Sequence, residues 1–202
     1  METSTIVLIA VVVLAVIAIG LAIAAYLNLL PGSRSGKLKK HFGDEYQYAV
    51  ESHGDREAAE RDLSERLRRR RGMKLRDLTS NEVKAHDDAW AAVQQEFVDN
   101  PVRAVRDAQA VVESAMADRG YPDVRPGAEG GAGFEQRVRD LSVDHPAAVA
   151  ALRRAQRAGR TADQSGTEHL REELVAYRGL VDALAGGLPA AHGTAEHSGR
   201  RL

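Results

Sequence analysis

Two histidine–aspartate neighbours are the residues of this 202-residue chain best equipped for chemistry: His86-Asp87-Asp88 and Asp144-His145-Pro146. An adjacent His-Asp pair binds metal in one class of phosphohydrolase, but further His and Asp ligands from other elements must complete the coordination shell. His86 falls on an apolar stripe with Trp90, while Asp87 and Asp88 turn away toward solvent. Asp144 reads as a helix-capping carboxylate, with Pro146 fixing the first turn. His192 and His197 lie in a glycine-containing C-terminal stretch that preorganises no metal site. The phosphate loop G-x-x-x-x-G-K-[ST], the nucleophile elbow G-x-S-x-G and the zinc motif H-E-x-x-H do not occur. The chain has no cysteine, which removes disulfides, thiolate catalysis, thiolate metal ligation and lipid attachment through sulfur. The residues therefore assign no catalytic, cofactor-binding or metal site, and no cofactor.

The sharpest local feature is the run Arg68–Arg71. Clustered arginine can neutralise nucleic-acid phosphates. It can also meet anionic lipid headgroups, or simply complement the dipole at a solvated helix end. Four consecutive residues point around most of a helix and cannot make one flat patch. Residues 34–76 hold thirteen basic and eight acidic side chains, a local excess of five, whereas the whole chain carries a net charge of −1. That overall balance argues against a nucleic-acid-binding protein.

Near the N-terminus, Ile6–Ala25 reads IVLIAVVVLAVIAIGLAIAA, twenty residues without a charge. As a helix it would rise about 30 Å, the thickness of a bilayer's hydrocarbon core. Tyr26 stands where an interfacial aromatic belongs, and Pro31-Gly32 ends the element. The residues before it, METST, hold no Lys or Arg, whereas Arg34, Lys37, Lys39 and Lys40 follow it closely. Positive flanks stay in the cytoplasm, so the expected orientation is N-terminus outside and C-terminal domain cytoplasmic. Those four residues are also the candidate contacts for anionic headgroups. A cleaved signal peptide would need a basic leader, a shorter apolar run and a small-residue cleavage site outside it. Ala18 with Ala22 and Gly20 with Ala24 have the spacing of a helix-pairing motif, a spacing that alanine-rich apolar runs generate by composition alone.

Beyond the membrane segment the patterns are helical. Asp55–Arg71 reads as one helix with acid-before-base pairs Glu57–Arg61, Asp62–Arg66 and Glu65–Arg69, and a narrow stripe of Ala59, Leu63 and Leu67. Thr79 and Glu82 form a capping box for a helix whose seam is Val83, His86, Trp90, Val93 and Phe97. Asn100-Pro101 starts a second helix with Val105, Ala108, Val112, Ala115 and Met116 inward and Gly120 as its stop. The short joint makes the two a candidate antiparallel hairpin. Phe134–Leu141, Pro146–Ala158 and Thr167–Leu184 supply three further helices, the last with Leu170, Leu174, Tyr177, Val181 and Leu184 on one face. No run alternates as a strand does. The fold class is all-α: one N-terminal transmembrane helix plus a small soluble helical bundle. The expected division is 1–5 extracytoplasmic, 6–30 transmembrane helix, 31–76 basic juxtamembrane and charged helical region, and 77–122 helical hairpin. A Gly/Pro-rich linker at 123–133, C-terminal helices at 134–185 and a disordered tail at 186–202 follow.

Four strings taken together, LKKHFGDEY at Leu38–Tyr46, FVDNP at Phe97–Pro101, RGYP at Arg119–Pro122 and LSVDHP at Leu141–Pro146, resemble a family of uncharacterised actinobacterial proteins labelled membrane or secreted protein. The resemblance covers about Leu38 to Leu184 and implies no catalytic residue. The stretch Gly127–Gly133 looks like an expansion of that family's tighter join after RGYP. The expected function is a membrane-anchored helical interaction or scaffold module. The lipid bilayer is its first partner, and an unknown protein or a second copy its next. The alternatives are a membrane-tethered hydrolase whose site the sequence does not reveal, and an exported cell-surface helical domain.

Overall fold

The computed structural model describes residues 13–20, 31–122, 132–161 and 166–187. All regular secondary structure among them is α-helical, as the periodicity requires. Residues 13–20 are helical (α1), followed by α2 Pro31–Phe42, α3 Asp44–His53, α4 Arg56–Gly72, α5 Ser80–Asp99, α6 Pro101–Arg119, α7 Ala132–Leu141, α8 Pro146–Thr161 and α9 Thr167–Ala185. The chain divides into two compact units, residues 1–64 and 65–202, with the boundary inside α4. The glycine-rich stretch at 123–131, the tail from residue 188 and most of the segment read as membrane-spanning lie outside the described residues. Among the described residues no helix is long and apolar enough to cross a membrane.

In the first unit, α2 and α3 are two helices where the sequence reading gave only a charged helical region. Ser35, Leu38 and Phe42 of α2 are buried with Tyr46 and Ala49 of α3 and Ala59 and Leu63 of α4. The two helices are divided by Gly43, whose φ of 52° and ψ of −126° lie in a region that only glycine enters without strain. Glu60 ties the unit together. Its Oε1 accepts from Ser35 Oγ at 2.7 Å, Tyr46 Oη at 2.6 Å and Arg56 Nε at 3.0 Å. Burial alone would raise the Glu60 pKa, but bonds from Tyr46, Ser35 and Arg56 outweigh it and hold the carboxyl below its ordinary range.

In the second unit the caps read at Thr79, Asn100 and Gly120 form. Thr79 Oγ1 accepts the Glu82 amide while the Glu82 carboxylate takes the Thr79 amide, the reciprocal capping box. Hydrogen bonds from Arg76, then from the Thr79 amide, pull Glu82 down to about 2. Asn100 Oδ1 accepts the Arg103 amide at the head of α6, and Pro101 takes the first helical position. Across that one-residue joint α5 and α6 pack on each other, the expected hairpin. α9 packs on α6 and α8, and α7 on α8. One continuous core links Trp90 and Val93, Val112 and Met116, Val138 and Leu141, Val149 and Leu152, and Tyr177, Leu180 and Leu184. The inward faces are those the spacing indicated, with Val83, Phe97, Val105 and Leu170 only half-buried.

Candidate functional site

His86 is buried beside Trp90 on α5, and its Nε2 lies 3.0 Å from Asp118 Oδ2 on α6. Asp87 and Asp88 are exposed. Asp87 Oδ1 accepts from Arg178 Nη2 at 3.1 Å, and Asp88 Oδ2 from Lys84 Nζ at 2.6 Å. The three side chains therefore diverge, and each serves a different local pair. Among the described residues no three His, Asp or Glu side chains gather in a group able to hold a metal ion.

The arginine run is divided by the fold. Arg68 and Arg71 are exposed, whereas Arg69 and Arg70 are half-buried and reach the corner between α7 and α8. Arg69 Nε donates to Asp140 Oδ1 at 3.0 Å, Arg70 Nε donates to Asp144 Oδ2, and Arg66 Nη1 donates to Ser142 Oγ at 3.1 Å. Asp144 Oδ2 also accepts from Tyr121 Oη at 3.0 Å. The reading of Asp144 as a helix cap is corrected here: its carboxylate serves Arg70 and Tyr121. Burial, then the adjacent Asp144 charge, pushes the Tyr121 hydroxyl above its ordinary pKa, so it remains a donor. Reading Arg68–Arg71 as one unit missed this clasp, because its acceptors lie more than seventy residues away in sequence.

His145 follows Asp144, and its buried Nε2 has no hydrogen-bond partner. Burial lowers its pKa; Asp144 opposes that, and Arg119 and Arg70 add to it. An unfolded His145 therefore takes up a proton at a higher pH than the folded one. The His145 contribution to stability is complete above the unfolded value of about 6.5 and is lost as pH falls toward the folded value. Denaturation midpoints, followed through the single tryptophan Trp90, are expected to fall between about pH 7.5 and pH 5.5. His145→Phe, which keeps a ring but cannot titrate, should flatten that dependence. An equal fall in both proteins would assign the effect to other groups.

Two deeply buried arginines also went unseen in the sequence. Arg153 of α8 makes a bidentate pair with Glu135 of α7 at 2.6 and 2.5 Å. Burial works against ionisation of Glu135, yet Arg153 and Arg139 outweigh it and keep the carboxyl low. Arg119 is the largest fully buried side chain among the described residues. These are structural charges, Arg153 paired with Glu135 and Arg119 with Asp77.

Among the described residues, two grooves open to another molecule lie along α9. A shallow groove of about 390 Å³ between α8 and α9 is lined by five alanines, Val175 and Gly179, together with Arg154 and Glu172. A second, of about 370 Å³, shares Val175 and Gly179 and reaches Trp90, over whose ring the Arg178 guanidinium lies at 5.7 Å. No protein-family model, curated protein or solved structure matches the chain. Small apolar side chains with charges beside them suit the packing of another apolar surface, and they offer no activated nucleophile.

Proposed function

We propose that the protein is a membrane-anchored helical interaction module, with its N-terminus outside and its C-terminal helical domain in the cytoplasm. The observation that carries this reading is the apolar run at 6–25. Where it is described, residues 13–20, it is helical, and Val13, Leu14, Val16, Ile17 and Ile19 each leave half or more of their surface exposed. Five large apolar side chains on one bare helix need a non-aqueous environment. Orientation follows from Arg34, Lys37, Lys39 and Lys40 after the run and no basic residue in Met1–Thr5 before it. The interaction role is supported by the paired grooves on α9 and by charged clusters that are consumed in holding the fold. The likeness of its four strings to uncharacterised actinobacterial membrane proteins belongs to the same proposal and brings no activity with it.

Topology tests it directly, since the chain has no native thiol to give background. Ser4→Cys is expected to react with a membrane-impermeant maleimide in intact cells. Ser114→Cys, on the exposed face of α6, should react only after permeabilisation. Labelling of Ser114→Cys in intact cells would place the helical domain outside and overturn the orientation. Release of the chain from membranes by alkaline carbonate would overturn the anchor.

A further inference from the structure

We infer that one face of α2, carrying Lys37 and Lys40, binds the headgroups of anionic phospholipids in the bilayer that holds the chain. This rests on the anchor proposed above and goes beyond it, by naming a lipid class and separating these two lysines from the neighbouring cations. The sequence alone treats Arg34, Lys37, Lys39 and Lys40 as equivalent. The fold does not.

At about 100° per residue, Ser35, Leu38 and Phe42 share one stripe of α2, and all three are buried. On the same wheel Lys37 and Lys40 point roughly opposite that stripe, and both are exposed. The other two cations fall on the flanks of that stripe. Arg34 Nη2 donates to Ser64 Oγ at 2.9 Å, and Lys39 Nζ lies 5.3 Å from the centroid of the Tyr46 ring. His41 is exposed beside the lysine face. α2 contains no Asp or Glu, and its last turn carries Lys39, Lys40 and His41.

Chain length brings this face to the membrane. Only residues 26–30 separate the apolar run from α2, and even fully extended they reach at most about 20 Å. The headgroup layer and one Debye length of about 8 Å cover most of that span, and a lysine side chain covers the remainder. A compact ammonium on a flexible stem suits scattered phosphates better than a fixed bidentate site would. Each juxtamembrane cation near such a surface strengthens its attachment, and salt weakens it.

The test uses the full chain reconstituted in vesicles. Gly36 borders the lysine face, and a Cβ there would meet nothing within 4 Å, so Gly36→Cys carries an environment-sensitive dye without crowding. Vesicles of phosphatidylcholine alone are compared with vesicles containing about 30% phosphatidylglycerol. The expected result is a blue shift in the anionic vesicles that high salt reverses. Lys37→Gln with Lys40→Gln should reduce the ratio of lipid-contacting to free α2 about thirty-fold, whereas Lys39→Gln leaves it nearly unchanged. Equal dye spectra in the two vesicles, or an equal loss from Lys39→Gln, would overturn the inference while leaving the anchor intact. A chain that does not float with neutral vesicles would instead overturn the anchor and this inference with it.

Discussion

Arg119→Met is expected to lower the stability of the second unit by about 3–5 kcal/mol, and its unfolding midpoint by roughly 10 °C. Arg119 ends α6 with none of its side chain exposed. Nε and Nη2 both donate to the Leu184 carbonyl, and Nη1 donates to the Arg76 carbonyl at 3.2 Å and to Asp77 Oδ1 at 2.8 Å. Leu184 lies in the last turn of α9, where carbonyls lack intrahelical donors and the helix dipole favours a cation. One guanidinium thus joins α6, the segment before α5 and the end of α9. Methionine fills much of the volume but donates nothing, leaving the buried Leu184 carbonyl and the Arg76 carbonyl short of a partner. Arg119→Lys should recover only part of the loss, because a point-like ammonium cannot form the same fork. Urea unfolding followed through Trp90 measures the difference, with Arg106→Met, an exposed change on the same helix, as reference. A loss no larger than that of Arg106→Met would end the claim that Arg119 is the latch of this unit.

Arg119 also shows where sequence reading stopped. Next to Gly120, it looks like any cation complementing a helix end. Nothing local announces that it is buried, because the carbonyl that makes burial tolerable is sixty-five residues away. The arginines of α4 repeat the lesson: their partners at Asp140 and Asp144 are brought close only by the packing of α7 and α8. By contrast, the caps at Thr79, Asn100 and Gly120 were legible because their chemistry is complete within three or four residues. The inward faces of α5, α6, α8 and α9 were legible for a similar reason, since helical spacing determines which residues share a face. α2 and α3 were not. Their buried stripe is short and mixed with Ser35 and Glu45, and their cohesion comes from Glu60 on another helix. The groove on α9 was invisible because it is made of absences: alanines and a glycine that leave space between helices.

Gly120→Ala is expected to cost about 2–4 kcal/mol, far beyond the usual effect of adding a methyl group at a surface turn. Gly120 is exposed, so burial gives no warning of this. Its φ of 93° is left-handed, a conformation that costs a residue with a Cβ about 1–2 kcal/mol. The position cannot relax, because it is the C-terminal stop of α6. The Gly120 amide donates to the Ala117 carbonyl at 2.9 Å and the Tyr121 amide to the Met116 carbonyl at 3.0 Å, the paired bonds of a Schellman motif. A Cβ at Gly120 would also lie 2.9 Å from the Lys74 carbonyl oxygen, which belongs to backbone and not to a yielding side chain. Moving Lys74 away would pull on the Arg76 amide, which donates to the Arg119 carbonyl at 3.0 Å. The glycine and the arginine beside it therefore hold the same strand of backbone against the end of α6, one by leaving room and the other by bonding it. Once Arg119→Met has loosened that segment, Lys74 is freer to move, and Gly120→Ala should cost less than it does alone. A double-mutant cycle on Trp90-detected unfolding is expected to show this coupling as less-than-additive losses. Strict additivity would mean that the two residues act on separate parts of the unit, and that the close approach at Lys74 relaxes without disturbing the latch.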